Sequence, residues 1–304
     1  MEKHSQITIN IGCPRTGTTA IQRHLLQNSK NYNILSKTPY TSDNFLTRNT
    51  TSSFTPGLIR EFTGNLSDLS DNNIRNDIAA AIRTLSLASV NIDQKIRETC
   101  QPLLLELLDK ILINSTKPLL MHDERLSDSA ASLAGNSRHE EDCEFGIYAT
   151  IRALVSLRQT PKITACFREP ISYLKSKYMR TTLQRKAKGL RKISATQYIQ
   201  KQSILESNYP GTSSLMTAMH SEFIKQLQEF AFVKAFGFQE LLTSDDVFSL
   251  MALQGEEKYA FRDFPRENKL PFTKEQEQAI EVEITKALKQ YGFYDRIMKA
   301  QMFE

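Results

Sequence analysis

Ile7-Thr8-Ile9-Asn10-Ile11 alternates apolar and polar positions and is rich in β-branched residues, which predicts a strand. It runs into Gly12-Cys13-Pro14-Arg15-Thr16-Gly17-Thr18-Thr19. Ile21, Leu25 and Leu26 follow at helical spacing, so the order is strand, glycine-bearing turn, helix. Further short apolar runs predict strands at Lys117-Pro118-Leu119-Leu120-Met121, at 162–167 and at 230–236. Helical periodicity fills the intervals at about 76–87, 96–113 and 147–157. Pro170 is placed to open another helix. Ser244 caps a helix that Gly255 closes, and Thr273-Lys274-Glu275-Gln276 forms a capping box for a last helix running to Gly292. Strands alternating with helices predict an α/β domain around a mostly parallel sheet, in which ligands bind beyond the carboxyl ends of the strands.

No repeat and no linker divides the chain, so residues 1–304 are expected to form one domain. Two stretches depart from the pattern. Residues 40–76 are dominated by Ser, Thr and Asn and predict loops and short helices, a candidate lid. Residues 180–230, with 40–76, are where recognition of a variable substrate is expected.

Composition narrows the classes. With 40% hydrophobic and 24% charged residues the chain is an ordinary globular sequence, which argues against disorder, collagen and coiled coil. Its longest apolar runs fall far short of the ~20 residues that span a bilayer. Cys13, Cys100, Cys143 and Cys166 form no CxxC pair. Together with an N-terminus lacking an apolar leader, they predict reduced thiols and a cytoplasmic address. A net charge of +5 suits an anionic ligand and is too mild to imply nucleic acid. The five histidines, His4, His24, His122, His139 and His220, show no ligand spacing, so no metal is expected.

Candidate chemistry gathers at three strand ends. At the first, glycines at 12 and 17 permit a tight turn whose amides, at a helix N-terminus, can point at an anion. Thr16, Thr18 and Thr19 add hydroxyl donors, and Arg15 adds a permanent charge. A Walker A loop would carry Lys where Thr18 stands, which counts against ordinary ATP hydrolysis. At the second, Arg168 leaves the strand at 162–167. Ser172, Ser176 and Arg180 then recur every four residues on one helix face, so a guanidinium and hydroxyls can converge on a phosphate. The plainer alternative is an Arg168 salt bridge to Glu169 or another acid, with Ser176 simply solvated. At the third, His122-Asp123-Glu124 offers two general-base candidates: an imidazole with ordinary pKa near 6.5, and a carboxylate that needs desolvation. Eight basic residues and no acidic one lie between Lys175 and Lys192, either a solvated face or a surface attracting an anion.

Residues Cys13–Thr19 resemble the 5′-phosphosulfate loop of the sulfotransferases that use 3′-phosphoadenosine 5′-phosphosulfate (PAPS). Phe167-Arg168-Glu169-Pro170 through Ser176 resembles that family's 3′-phosphate clamp. His122-Asp123-Glu124-Arg125-Leu126-Ser127 is similar to the Ser-x-Glu-x-Leu-Ser stretch of bacterial members, with His122 departing from its first position. The resemblance implies a P-loop NTPase-like three-layer α/β domain. It implies a PAPS site built from Arg15, Thr16, Gly17, Thr18, Thr19, Arg168 and Ser176, with Arg15 also serving catalysis. Glu124 is the implied base, with His122 the other candidate on physical grounds, and the implied acceptor is a glycan, lipid or small molecule bearing a hydroxyl or amine. Arg266-Glu267-Asn268-Lys269 stands where family members close a C-terminal loop, without matching its basic-glycine motif. A P-loop kinase, or a non-catalytic nucleotide- or polyanion-binding protein of the same fold, remains the alternative.

Overall fold

In a computed structural model, the structure describes residues 7–12, 32–36, 72–90, 94–122, 146–187, 189–208, 213–237, 240 and 270–302. Five strands form the centre: β1 (Ile7–Gly12), β2 (Asn33–Ser36), β3 (Leu119–His122), β4 (Lys162–Phe167) and β5 (Phe232–Gly237). They build one sheet in the order β2-β3-β1-β4-β5, with every neighbouring pair parallel. The expected α/β architecture with a parallel sheet is therefore present. β2 was not expected, because Asn33-Ile34-Leu35-Ser36 offers two apolar residues and no alternation long enough to read.

Both faces of the sheet are buried, as a parallel sheet requires. Ile7, Ile9, Ile11, Leu119, Met121, Ile163, Ala165 and Phe167 project from one face into a single hydrophobic core. That core is shared with α1 (Asn72–Ala88), α2 (Gln94–Asn114), α3 (Gly146–Ser156), α4 (Pro170–Ala187), α5 (Ala195–Asn208), α6 (Ser214–Ala218), α7 (His220–Gln228), α8 (Lys274–Gln290) and α9 (Tyr294–Lys299). The opposite face carries Thr8, Asn10, Leu120, His122, Thr164 and Cys166, all buried. Burial raises the pKa of the Cys100 thiol on α2, and both Cys100 and Cys166 are free.

Several boundaries differ from expectation for local reasons. α1 begins at Asn72, so the last residues of the stretch read as loop are helical. β5 starts at Phe232, since Phe230 and Ala231 close the turn after α7 by donating to the Leu227 carbonyl. The 180–230 region is largely helical, holding the end of α4 and all of α5, α6 and α7. The expected helices following Gly17 and from Ser244 to Gly255 lie outside the described residues, as does most of the 40–76 segment.

The capping box predicted at Thr273 is formed. Its hydroxyl accepts from the Gln276 N–H at 3.2 Å, and the Gln276 side chain accepts from the Thr273 N–H at 2.9 Å. From that fixed start α8 lies along α4 and α5. Lys175 on α4 bonds Glu281 at 2.6 Å, and Glu283 accepts from the N–H and the hydroxyl of Thr196 in the first turn of α5. No helix of the described residues is long and apolar enough to cross a membrane.

Thr273→Ala removes one cap acceptor and should lower stability by about 1 kcal/mol. Urea denaturation checks this; an unchanged midpoint would show that packing alone sets the start of α8.

Candidate functional site

β1 lies between β3 and β4, so the three strands that precede the candidate segments are neighbours. Gly12 is in register with Cys166 and Asn10 with His122. Neighbouring strands lie about 5 Å apart. The chain therefore reaches one carboxyl edge at Gly12, at His122 and, through Phe167, at Arg168. The chain leaves β1 for β2, beyond β3, and leaves β4 for β5 on the other side. The edge between β1 and β4 is thus the topological switch point of the sheet, where open α/β sheets bind ligands.

Of the residues singled out in the sequence, Arg168, Ser176 and His122 lie within the described structure. Arg15, Thr16, Gly17, Thr18, Thr19 and Glu124 lie outside the described residues, as does Arg266-Glu267-Asn268-Lys269.

Arg168 follows the last residue of β4 and is half-buried. Burial lowers its pKa, while the charges of Glu169 and Glu277 act the other way and favour the cation. A partly desolvated guanidinium gains more from an anionic partner than a fully hydrated one does. The salt-bridge alternative for Glu169 takes a different form. The carboxylate turns onto the start of α4, accepting from the Ile171 N–H at 2.8 Å and the Ser172 N–H at 2.6 Å. It acts as the N-cap ahead of Pro170, with its charge at the positive end of the helix. Those amides are consequently engaged, and an anion beside α4 must be held by side chains.

The face on which Ser172, Ser176 and Arg180 recur is not uniform in depth. Ser172 is half-buried, Ser176 buried and Arg180 exposed. Leu174 and Tyr178 enter the core. Ser176 is therefore not the solvated position of the plainer reading, whereas Arg180 lies in solvent.

His220, at the start of α7, had no signal in the sequence beyond its ring. It is 1% exposed and stacks near Phe167, with ring centroids 4.7 Å apart. Met302 N–H donates to its Nδ1 at 3.5 Å, which places the ring proton on Nε2, 3.1 Å from the Arg168 carbonyl. Neutral His220 thus holds the backbone from which the Arg168 side chain projects. Burial pushes its pKa down to about 4, outweighing the carbonyl bond that favours the cation.

His122 is fully buried, in register with Asn10, which is in register with Thr164. The three side chains form a polar row across the centre of the sheet, just below its carboxyl edge. Among the described residues, Asn10 Nδ2 and Thr164 Oγ1 have no hydrogen-bond partner. Each such group costs about 1–3 kcal/mol, which core packing must exceed. Polar residues at these strand positions were visible in the sequence, but only the strand order aligns them. No protein-family model matches the chain, and no significant match is found among curated proteins or solved structures.

His220 generates a pH dependence with a definite sign. Its folded-state pKa near 4 lies below the ordinary 6.5, so the unfolded chain takes up the proton first as pH falls. Its contribution is complete above pH 6.5 and declines between pH 6.5 and 4, by up to about 3 kcal/mol. His220→Gln keeps a donor for the Arg168 carbonyl and should flatten that part of the stability profile. An identical slope in wild type and variant would show that other groups govern it.

Proposed function

We propose that this protein is a PAPS-dependent sulfotransferase of the P-loop type, transferring a sulfuryl group to a hydroxyl or amine of an acceptor. The observation that carries the reading is the placement of β1 between β3 and β4, with the Gly12 and Arg168 strand ends meeting at the switch point. A nucleotide phosphorylated at both ends needs two cationic positions at one edge, and this topology supplies their starting points. The position of Arg168, a half-buried cation directly after β4, supports the same reading. The strand order also suits a P-loop type of domain, in which the turn after the central strand cradles a phosphate.

Bound PAPS supplies an activated sulfuryl group on its 5′-phosphate. Arg168 and the buried hydroxyl of Ser176 hold the 3′-phosphate, and Thr16, Gly17, Thr18 and Thr19 hold the 5′ end through amides and hydroxyls. Arg15 stabilises charge on the 5′-phosphate oxygen as its bond to sulfur breaks and the acceptor oxygen or nitrogen bonds to sulfur. The acceptor's proton passes to Glu124. The full burial of His122 favours Glu124 as the group that meets the acceptor, and leaves His122 as a positioning residue. The leaving product is adenosine 3′,5′-bisphosphate. A glycan or glycolipid precursor, a lipid or a small metabolite would each provide the acceptor group.

Thermal-shift titration separates this reading from its rivals. Adenosine 3′,5′-bisphosphate should raise the melting temperature and ATP with Mg²⁺ should not; the reverse would indicate a phosphotransferase. Glu124→Ala should reduce sulfuryl transfer by about 10²–10⁴-fold while leaving bisphosphate binding intact. Tight bisphosphate binding without transfer from labelled PAPS to any acceptor in a fractionated extract would mark a binding protein. Arg15→Ala should lower turnover more than Arg168→Ala, which should chiefly weaken donor binding. Equal loss of donor affinity in both would contradict the assigned roles.

A further inference from the structure

The far end of α4 carries a feature that the donor site does not use. Gly189 has φ +66°, its N–H donates to the Lys186 carbonyl at 3.1 Å, and the Leu190 N–H donates to the Arg185 carbonyl at 2.8 Å. This is a Schellman ending, and glycine is required where the chain turns left-handed. Arg185 Nε donates to the Arg191 carbonyl at 2.8 Å, and the Tyr178 hydroxyl donates to the Ile193 carbonyl at 3.0 Å. The turn is therefore fixed to α4 on both sides.

A Schellman turn commonly packs the residue after its glycine against an apolar side chain in the last helical turn. Here the corresponding helix positions are Gln184 and Arg185, and Leu190 stays 41% exposed. Lys186, Arg191 and Lys192 around it are exposed, and Arg185 is half-buried. Among the described residues no acid pairs with any of these four cations. The sequence contains no Asp or Glu between Glu169 and Glu206. The acids of α8 that approach this region, Glu281 and Glu283, are engaged by Lys175 and Thr196. Neutralising a helix C-terminus, about half a unit of negative charge, does not require four cations.

We propose that this turn docks the protein peripherally on an anionic membrane surface. Its cations are complementary to acidic headgroups, and Leu190 is presented, pre-ordered, to enter the headgroup boundary. Apolar area and cationic charge on one small rigid surface are the two ingredients of interfacial binding. A soluble polyanion would engage the cations and leave Leu190 without a role. α4 spans about 27 Å over its 18 residues, so the docking turn lies well away from Arg168 at its other end. The proposal is independent of the identity of the donor.

Sedimentation with vesicles tests it, using phosphatidylcholine alone and phosphatidylcholine with about one-third phosphatidylglycerol, at about 0.1 M and 0.5 M salt. The full chain should bind the anionic vesicles at low salt, bind them much less at high salt, and ignore the neutral ones. Arg191→Ala with Lys192→Ala should weaken partition by on the order of 25-fold, about fivefold per cation. Leu190→Ser should weaken it severalfold with no change of charge. Unchanged circular dichroism keeps these exposed substitutions interpretable. No binding to anionic vesicles overturns the proposal, as does binding that ignores these variants. Binding to a soluble polyanion such as heparin that exceeds vesicle binding and is indifferent to Leu190→Ser overturns it in favour of a polyanion surface.

Discussion

Parallel pairing of β1 with both β3 and β4 is the constraint on which the rest of the molecule depends. A parallel strand cannot be joined to its neighbour by a tight hairpin, so every connection crosses over the sheet and every strand delivers its chain to the same edge. With β1 in the middle, segments separated by more than 150 residues in the sequence begin a few ångströms apart. The apolar face of the same three strands, with Ile9 and Ile163 fully buried, anchors this arrangement in the core. Whatever binds at the edge is thus positioned by the most deeply buried part of the fold.

Around that edge, groups that could compete for a ligand are engaged by protein contacts. Glu169 places its carboxylate on the first amides of α4, while its charge also favours the cation of its neighbour Arg168. His220 stays neutral and grips the Arg168 carbonyl, fixing the backbone without adding charge. α8 contributes the acids: Glu277 near Arg168, Glu281 on Lys175 and Glu283 on the start of α5. The basic run of α4 is consequently divided. Lys175 near its start is paired with Glu281 of α8, while Lys186 in its last turn is exposed.

The sequence carried the elements whose local signal is strong. β1 and β4 combine β-branched residues with turn signals, Pro170 marks a helix start, and the Thr273 capping box is a purely local device. β2 was illegible because an edge strand of four residues with two apolar positions has no period to detect. Arg168 and Ser176 were singled out by residue type and spacing, and the structure places the first just after β4 and the second buried on α4. The sequence was illegible at His220, whose partners at Arg168 and Met302 lie 52 and 82 residues away. The row of His122, Asn10 and Thr164 was likewise hidden, since each residue is an ordinary polar position until the strand order sets them side by side.

The central claim, that one doubly phosphorylated adenosine bridges the segment Cys13–Thr19 and Arg168, is tested most directly by calorimetry. The titration compares adenosine 3′,5′-bisphosphate with adenosine 5′-phosphate, on wild type and on Arg168→Ala. A charge-assisted contact to the 3′-phosphate is worth about 1.5–3 kcal/mol, so its removal from the ligand should cost wild type roughly 10–150-fold in affinity. The same removal should cost Arg168→Ala far less. An equal loss in both proteins would mean that Arg168 does not meet the 3′-phosphate, and the account would fail at its centre.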